Sequence, residues 1–231
     1  MKKLLFLPVL LLLAGCNIRA LHPASDTAAT LTDLIYLSFG LMMLVFVVVM
    51  VLFIYYLRKF REKAYNVHHI PLDTRENKWF EITWTVLPII LLTILAVPTV
   101  QATYELTSSS AGNVDEAPQQ AVEIQVTGKQ FNWRFTYENG KQSMNELVLP
   151  VGQKASLRLQ SEDVIHSFWV PRLAGKIDVF PGKVTRLSFV PNEKGTYQGK
   201  CAEFCGAEHT QMRFDTRVIS EGEFQEWLKQ E

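Results

Sequence analysis

Two long apolar runs dominate the first hundred residues of the chain. The first, Leu34 to Leu57, has 24 residues without a charge, and the second, Ile82 to Val100, has 19. At a rise of about 1.5 Å per residue, each run is long enough to cross the ~30 Å hydrocarbon layer of a membrane. Pro88 and Pro98 interrupt the second run, which a membrane helix tolerates better than a soluble one. The pattern predicts a transmembrane hairpin within residues 17–104, with helices at about 34–57 and 82–100.

A shorter apolar segment precedes these runs. Residues 1–16 begin with Met1-Lys2-Lys3, continue through a stretch too short to span a bilayer and end in Leu13-Ala14-Gly15-Cys16. This order is typical of a secretory signal peptide. The ending resembles the bacterial lipobox, which predicts that Cys16 is lipidated and becomes the new N-terminus. The alternative is an ordinary signal cleaved near Ala14, which would leave Cys16 as a stray thiol.

The segment that joins the two runs is basic. It carries six Lys and Arg residues against three acidic residues ahead of Glu81, whereas residues 17–33 ahead of the first run contain the single basic residue Arg19. The positive-inside rule therefore places the joining loop in the cytoplasm and both termini outside it. These charges predict a multi-pass membrane protein, in contact with lipid, whose downstream domain is extracytoplasmic. The resemblance to a bacterial lipobox implies that the membrane is the bacterial inner membrane.

The pattern changes after Tyr104. Residues 105–120 are rich in small polar residues and predict a linker. Residues 121–231 contain short segments with the period-two alternation of half-buried strands, separated by Gly, Pro and Asn, namely Val122–Val126, Phe131–Tyr137, Ser156–Leu159 and Val184–Val190. These segments predict an all-β sandwich. Phe224, Trp227 and Leu228 recur at helical spacing and predict a short helix from Glu221 to Lys229.

Composition narrows the function classes. The chain of 231 residues is 48% hydrophobic, balances 23 basic with 23 acidic residues and has a mean hydropathy of +0.07. These values exclude a disordered tail and a nucleic-acid-binding protein. Three cysteines are too few for a disulfide scaffold. From Glu105 onward, 14 basic and 17 acidic residues leave the outer domain slightly negative, which is compatible with a basic partner.

Soft metal ligands cluster in residues 199–212. Two thiols, an imidazole and a thioether follow one another at intervals of four, four and three residues: Cys201, Cys205, His209 and Met212. His166 can add a ligand from elsewhere in the fold. Sulfur with imidazole favours copper or zinc over magnesium or calcium. Copper is preferred, and two copper ions sharing both sulfurs would use every ligand.

Three other interpretations of this cluster remain open. A disulfide between Cys201 and Cys205 is chemically reasonable outside the cytoplasm but leaves His166, His209 and Met212 unexplained. Zinc gives Met212 no role, because a thioether is not a usual zinc ligand. A mononuclear blue-copper site needs one cysteine and leaves the second thiol over.

With these residues, the chain resembles subunit II of a bacterial cytochrome c oxidase, and the loop resembles the binuclear copper A motif of that family. The resemblance implies two transmembrane helices followed by a cupredoxin-like Greek-key sandwich. It also implies that Cys201 and Cys205 bridge two copper ions. His166 and Met212 would complete one ion, and His209 with the backbone carbonyl of Glu203 would complete the other.

The same resemblance implies further roles. The side chain of Glu203 would reach a magnesium ion at the boundary with subunit I. Glu81 matches an acidic residue at the cytoplasmic entry to a proton path, although the helix dipole also favours an acid at a helix start. The family commonly has Trp-x-Trp at the electron entry, where this chain has Phe131-Asn132-Trp133. Phe131 and Trp133 would contact the incoming partner, or would simply pack one face of a strand.

The function that the resemblance implies is electron entry into a proton-pumping haem-copper oxidase. Electrons would pass from cytochrome c through this chain to haem in subunit I, where oxygen is reduced to water, with no catalytic residue in this chain. Other oxidase subunits would be partners. The alternatives are a quinol oxidase subunit II, whose family has lost the copper ligands, and a copper-binding assembly factor, which needs an exchangeable site. Cys201 and Cys205 are spaced Cys-x-x-x-Cys, so no haem attachment is expected here.

Overall fold

The computed structural model describes residues 18–61, 76–110 and 121–230. The chain divides into two compact units: residues 33–105 form one, and residues up to 32 together with those from 106 onward form the other. The predicted signal peptide and the lipidation of Cys16 lie outside the described residues, as do residues 111–120 of the predicted linker.

Each of the two apolar runs lies within a long helix. Helix α1 extends over Asp26–Lys59 and helix α2 over Lys78–Ser110. Both are long and apolar enough to cross a membrane, and the most apolar part of each is unburied. The predicted hairpin of two apolar helices is confirmed, but each helix is longer than expected at both ends. An uncharged run predicts only the part of a helix that can lie in the hydrocarbon layer of a membrane. The helical hydrogen bonds continue into the polar residues on either side, so the helix is longer than the run.

The second unit is a sandwich of two five-stranded sheets. The first sheet has the order β3-β2-β1-β5-β8 and the second β4-β10-β9-β6-β7. In chain order the strands are β1 Val122–Lys129, β2 Asn132–Tyr137, β3 Gln142–Met144, β4 Glu146–Pro150, β5 Ala155–Ser161, β6 His166–Trp169, β7 Ile177–Val179, β8 Thr185–Phe189, β9 Gly195–Cys201 and β10 Arg213–Ile219. Helix α3, Glu221–Lys229, follows the last strand and matches the prediction. The predicted β-sandwich is confirmed.

Aromatic residues fill the sandwich core at the end that carries the soft ligands. Trp133, Phe135 and Phe168 have no exposed surface, and Phe214 is 3% exposed. The rings of Phe168 and Phe214 stack with centroids 4.8 Å apart, and Trp133 meets Phe168 edge to face at 5.5 Å. Aromatic packing of this kind gives the strands that hold the ligands a rigid backing.

The segment ahead of α1 packs on the sandwich. The backbone N–H of Ala24 donates to the carbonyl of Arg172 at 2.8 Å, and the N–H of Asn192 donates to the carbonyl of Ala24 at 2.8 Å. The buried hydroxyl of Ser25 donates to the carbonyl of Leu173. These bonds hold Ala24 and Ser25 against the sandwich.

Candidate metal centre

The second sheet and one loop bring the soft ligands together. His166 is the first residue of β6 and Cys201 the last residue of β9, and these two strands are antiparallel neighbours. Cys205 and His209 lie in the loop between β9 and β10, and Met212 directly precedes β10. The N–H of Cys201 donates to the carbonyl of Met212 at 2.9 Å, which closes the base of that loop.

Five ligand atoms form a connected cluster. The sulfur atoms of Cys201 and Cys205 are 3.8 Å apart. His166 Nδ1 lies 3.8 Å from Cys201 Sγ, and His209 Nδ1 lies 3.6 Å from Cys205 Sγ. Met212 Sδ lies 3.7 Å from Cys205 Sγ. The backbone carbonyl of Glu203 accepts from the Cys201 thiol at 3.2 Å, so the sixth predicted ligand atom is also present.

The spacing of the thiols suits shared metal ions. Both are free cysteines, at a separation well beyond the ~2.05 Å of a disulfide bond. Two sulfur atoms bound to one tetrahedral ion at about 2.3 Å would be about 3.8 Å apart, which is the separation observed here. The site is also buried, since His166 and Met212 have no exposed surface and each cysteine is 4% exposed. These residues therefore fit a soft metal centre.

Asp163 orients the buried imidazole of His166. Its Oδ1 lies 2.8 Å from His166 Nε2, which leaves Nδ1 facing the sulfur atoms. The backbone N–H groups of Gln130 and Val164 donate to the same carboxylate at 2.7 Å each. Burial opposes ionisation, but these hydrogen bonds and that of His166 outweigh it and lower the pKa of Asp163 to about 2. A carboxylate behind a metal-binding histidine fixes the ring orientation and the tautomer.

The two thiols differ in acidity. Burial opposes ionisation of both, but hydrogen bonds from His166 and from the backbone of Ser167 lower the pKa of Cys201. Burial and the neighbouring charge of Cys201 raise the pKa of Cys205. A metal ion bound between the sulfur atoms would favour the deprotonated form of both thiols.

Small residues make room for the cluster. A Cβ at Gly128 would lie 3.1 Å from the ring of His166. Gly206 has φ +134°, and a Cβ there would lie 2.8 Å from the amide nitrogen of Gln130 and 3.1 Å from the ring of Phe131. That amide nitrogen donates to the carbonyl of Cys205 at 2.6 Å. The turn after Cys205 thus depends on glycine.

Other predicted site residues lie outside the cluster. Trp133 is fully buried with its ring 5.9 Å from that of His166, so it offers no surface to a partner and follows the alternative expectation of packing on one face of its strand. Phe131 is half-buried beside Gly206. The side chain of Glu203 is exposed, and Glu81 is an exposed residue in the first turn of α2.

Sequence reasoning missed two residues of this site. Asp163 supports His166, and Gln130 supports the loop between β9 and β10 through the carbonyl of Cys205. An acidic residue three positions before a ligand histidine was the available signal for Asp163. Sequence reasoning also gave no role to Phe204, which is 76% exposed with its ring 5.8 Å from that of His209.

The fold and the site together define a class: a membrane-anchored β-sandwich whose loop holds a buried centre of two thiols, two imidazoles and a thioether. Residues 15–102 match the family model for the transmembrane domain of cytochrome c oxidase subunit II, and residues 140–219 match that for its periplasmic domain. The chain belongs to the cytochrome c oxidase subunit II family, and it is a subunit of an oxidoreductase complex.

Individual relatives carry two different names. Cytochrome c oxidase subunit 2 of Alkalihalophilus pseudofirmus is 40% identical over 97% of this chain and 67% of its own length. Quinol oxidase subunit 2 of Bacillus cereus is 33% identical over 98% of this chain and 78% of its own length. The periplasmic domain of subunit II of cytochrome oxidase from Bradyrhizobium japonicum aligns with a TM-score of 0.47 and 31% identity, over 49% of this chain and 95% of that structure.

Proposed function

We propose that this chain receives electrons from a cytochrome c at a binuclear copper A centre and passes them to haem in subunit I of a proton-pumping oxidase that reduces oxygen to water. The observation that carries the proposal is the cluster of two free thiols, two imidazole nitrogens and a thioether, each within 3.8 Å of a neighbouring ligand atom. Family membership supports the same function.

The ligand set would hold two copper ions. Cys201 and Cys205 would bind both ions through their thiolates. His166 and Met212 would complete the set around one ion, and His209 with the carbonyl of Glu203 would complete it around the other. Copper bound in this way supplies one-electron transfer, for which a soft, sulfur-rich ligand set is suited.

The protein holds these ligands rigid. His166 and Cys201 belong to paired strands, Met212 is tied to Cys201 through the backbone, and Asp163 fixes the imidazole of His166. Ligands that move little when the centre gains or loses an electron keep the reorganisation energy of electron transfer low. The buried surroundings exclude water from the sulfur atoms, because apolar side chains around a metal site control the access of solvent.

A donor protein reaches the site at its exposed rim. His209 is the half-buried ligand, and the adjoining side chains of Glu203, Phe204 and Glu208 are exposed. An exposed aromatic ring with acidic neighbours complements a basic protein with an apolar contact edge. Cytochrome c is the partner that we propose for this surface, with Phe131 beside it.

Further roles follow from the same proposal. The exposed carboxylate of Glu203 is available to a magnesium ion shared with subunit I, and Glu81 stands at the cytoplasmic entrance of a proton path. The charge asymmetry around the helices supports an extracytoplasmic copper domain with both termini on that side. Cys16 would add a lipid anchor, and other oxidase subunits and lipid would surround the two helices.

Quinol oxidation is the competing function, because relatives at 33% identity are named quinol oxidase subunit 2. A subunit that receives no electron from cytochrome c has no use for the ligand set. This chain carries all six ligand groups close together, which favours the copper-dependent function.

Metal analysis of the full-length chain, purified in detergent and loaded with copper, tests the proposal. We expect two copper ions per chain and an electron spin resonance spectrum with seven hyperfine lines, because two equivalent copper nuclei share one unpaired electron. Cys201→Ser should abolish both results. Cys16→Ser is the matched control, since it removes the cysteine outside the cluster and should leave both unchanged. One copper ion, zinc or a Cys201–Cys205 disulfide without metal would contradict the proposal.

A further inference from the structure

A basic cleft opens on the outer face of the second sheet. Its volume is about 770 Å³, and it lies between β9 and β10 of that sheet and the segment ahead of α1. Four cationic side chains line it: Arg19 from the segment, Arg172 from the loop after β6, Lys200 on β9 and Arg213 on β10. No Asp or Glu is among the lining residues.

Three of these cations have no acidic partner within the described residues. Arg19 contacts the amide oxygen of Gln198 at 3.4 Å. Lys200 lies over the ring of Trp169 at 4.8 Å, and Arg213 donates to the carbonyl of Thr210 at 3.0 Å. Arg172 does have a carboxylate partner, Glu193 at 3.3 Å.

Arginines elsewhere on the sandwich are paired. Arg217 lies on the same strand and the same face as Arg213, and it bonds to Glu146 at 2.8 Å. Arg158 and Arg186 approach Glu123 at 3.6 and 3.7 Å. Among the arginines of the described residues 121–230, the one without a carboxylate partner is therefore Arg213, which lines the basic cleft. Like charges brought together without a counter-charge favour a bound anion.

We propose that the basic cleft binds the phosphate of an anionic phospholipid headgroup. Guanidinium groups match the oxygen atoms of a phosphate in pairs, and Lys200 adds a point charge. Arg19 precedes Leu34, the start of the uncharged run, by 15 residues, so the cleft is built partly from the chain segment that leads into the membrane. Basic side chains close to any membrane surface that contains anionic lipid are attracted to its headgroups, by about 1 kcal/mol for each Lys or Arg. Free phosphate shares this chemistry and is tested separately.

Titration calorimetry on the full-length chain in a nonionic detergent measures this binding. The probes are dihexanoyl phosphatidylglycerol, which is anionic, dihexanoyl phosphatidylcholine, which is zwitterionic, and inorganic phosphate. We expect phosphatidylglycerol to bind at least tenfold more tightly than the other two. Arg19→Gln and Arg213→Gln should each weaken it about fivefold, as the loss of one cation near a lipid surface implies.

Arg217→Gln is the matched control, because it removes a paired arginine four residues from Arg213 on the same face. Its binding should stay within about twofold of the unchanged chain. Equal weakening by Arg217→Gln, unchanged binding in the double variant Arg19→Gln/Arg213→Gln, or no binding of phosphatidylglycerol would overturn the proposal. Phosphate binding as tightly as phosphatidylglycerol would identify a free-anion site instead. The measurement needs no copper, so it is made on the chain before copper is added, and copper content of each variant is measured separately.

Discussion

Replacing Asp163 by asparagine tests whether the carboxylate behind His166 contributes to metal affinity. The aspartate accepts from His166 Nε2 through Oδ1 and from the N–H of Gln130 through Oδ2. The N–H of Val164 also donates to Oδ1. Asparagine has the same shape but only one acceptor oxygen, so its amide N–H₂ must face either Gln130 or both His166 and Val164. At least one hydrogen bond is lost, and those that remain are no longer made to a charged group.

The expected loss of affinity comes from the imidazole. A group that hydrogen-bonds to the second ring nitrogen of a metal-binding histidine typically raises metal affinity 10- to 100-fold, or by about 1.4 to 2.7 kcal/mol. We expect Asp163→Asn to weaken copper binding within this range and to shift the electron spin resonance parameters, because His166 is no longer held in one orientation. Competition with a copper chelator measures the affinity on the full-length chain.

Glu162→Gln supplies the matched control for this experiment. Glu162 adjoins Asp163 and forms ion pairs with Lys129 and Arg134, but no contact with His166 is present. Its variant should bind copper as the unchanged chain does. Copper affinity within twofold of the unchanged chain in Asp163→Asn would refute the positioning role. Equal losses in both variants would assign the effect to net charge instead.

Three further changes test the fold and the proposed contact surface. Tyr137→Phe removes the acceptor of the Val148 N–H at 2.8 Å and should lower the free energy of unfolding by about 1 to 3 kcal/mol in chemical denaturation. Phe204→Ala should raise the KM for cytochrome c roughly fivefold, about 1 kcal/mol, with copper content unchanged; an unaltered KM would remove this ring from the contact surface. Hydrogen bonds from Ser220 lower the pKa of Glu223 to about 2 from its ordinary 4.5, so the stability they provide is complete above 4.5 and lost as pH falls towards 2. Thermal unfolding of Glu223→Gln should therefore lose less stability over that pH range than the unchanged chain.

Sequence patterns predicted the elements better than their ends. The uncharged runs located both membrane helices, but α2 continues to Ser110, into residues that composition assigned to a linker. Alternation located strands β1, β2, β5 and β8 within a few residues. Short strands such as β3 and β7, with three residues each, carry too few positions for a period to be visible.

The period of a strand also explains why two roles for Trp133 remained open from the sequence. Alternation shows that Phe131, Trp133 and Phe135 share one side of a strand, but it does not show which side faces the second sheet. In the fold that side is internal, and Trp133 packs against His166 and Phe168. Phe131 is half-buried because it lies before β2 begins, beside Gly206 in the loop between β9 and β10.

The candidate site could be predicted from the sequence because most of its ligands lie close together along the chain. Strands β9 and β10 form an antiparallel pair in which Lys200 faces Arg213, so Cys201 and Met212 are brought together by the hairpin itself. Cys205 and His209 lie on the loop that this hairpin closes. His166 is different, because it reaches the cluster only when β6 pairs with β9 and places Phe168 opposite Cys201. A motif can specify four ligands by spacing, but the fifth depends on the folded sandwich, and so does the carboxylate of Asp163 that holds it.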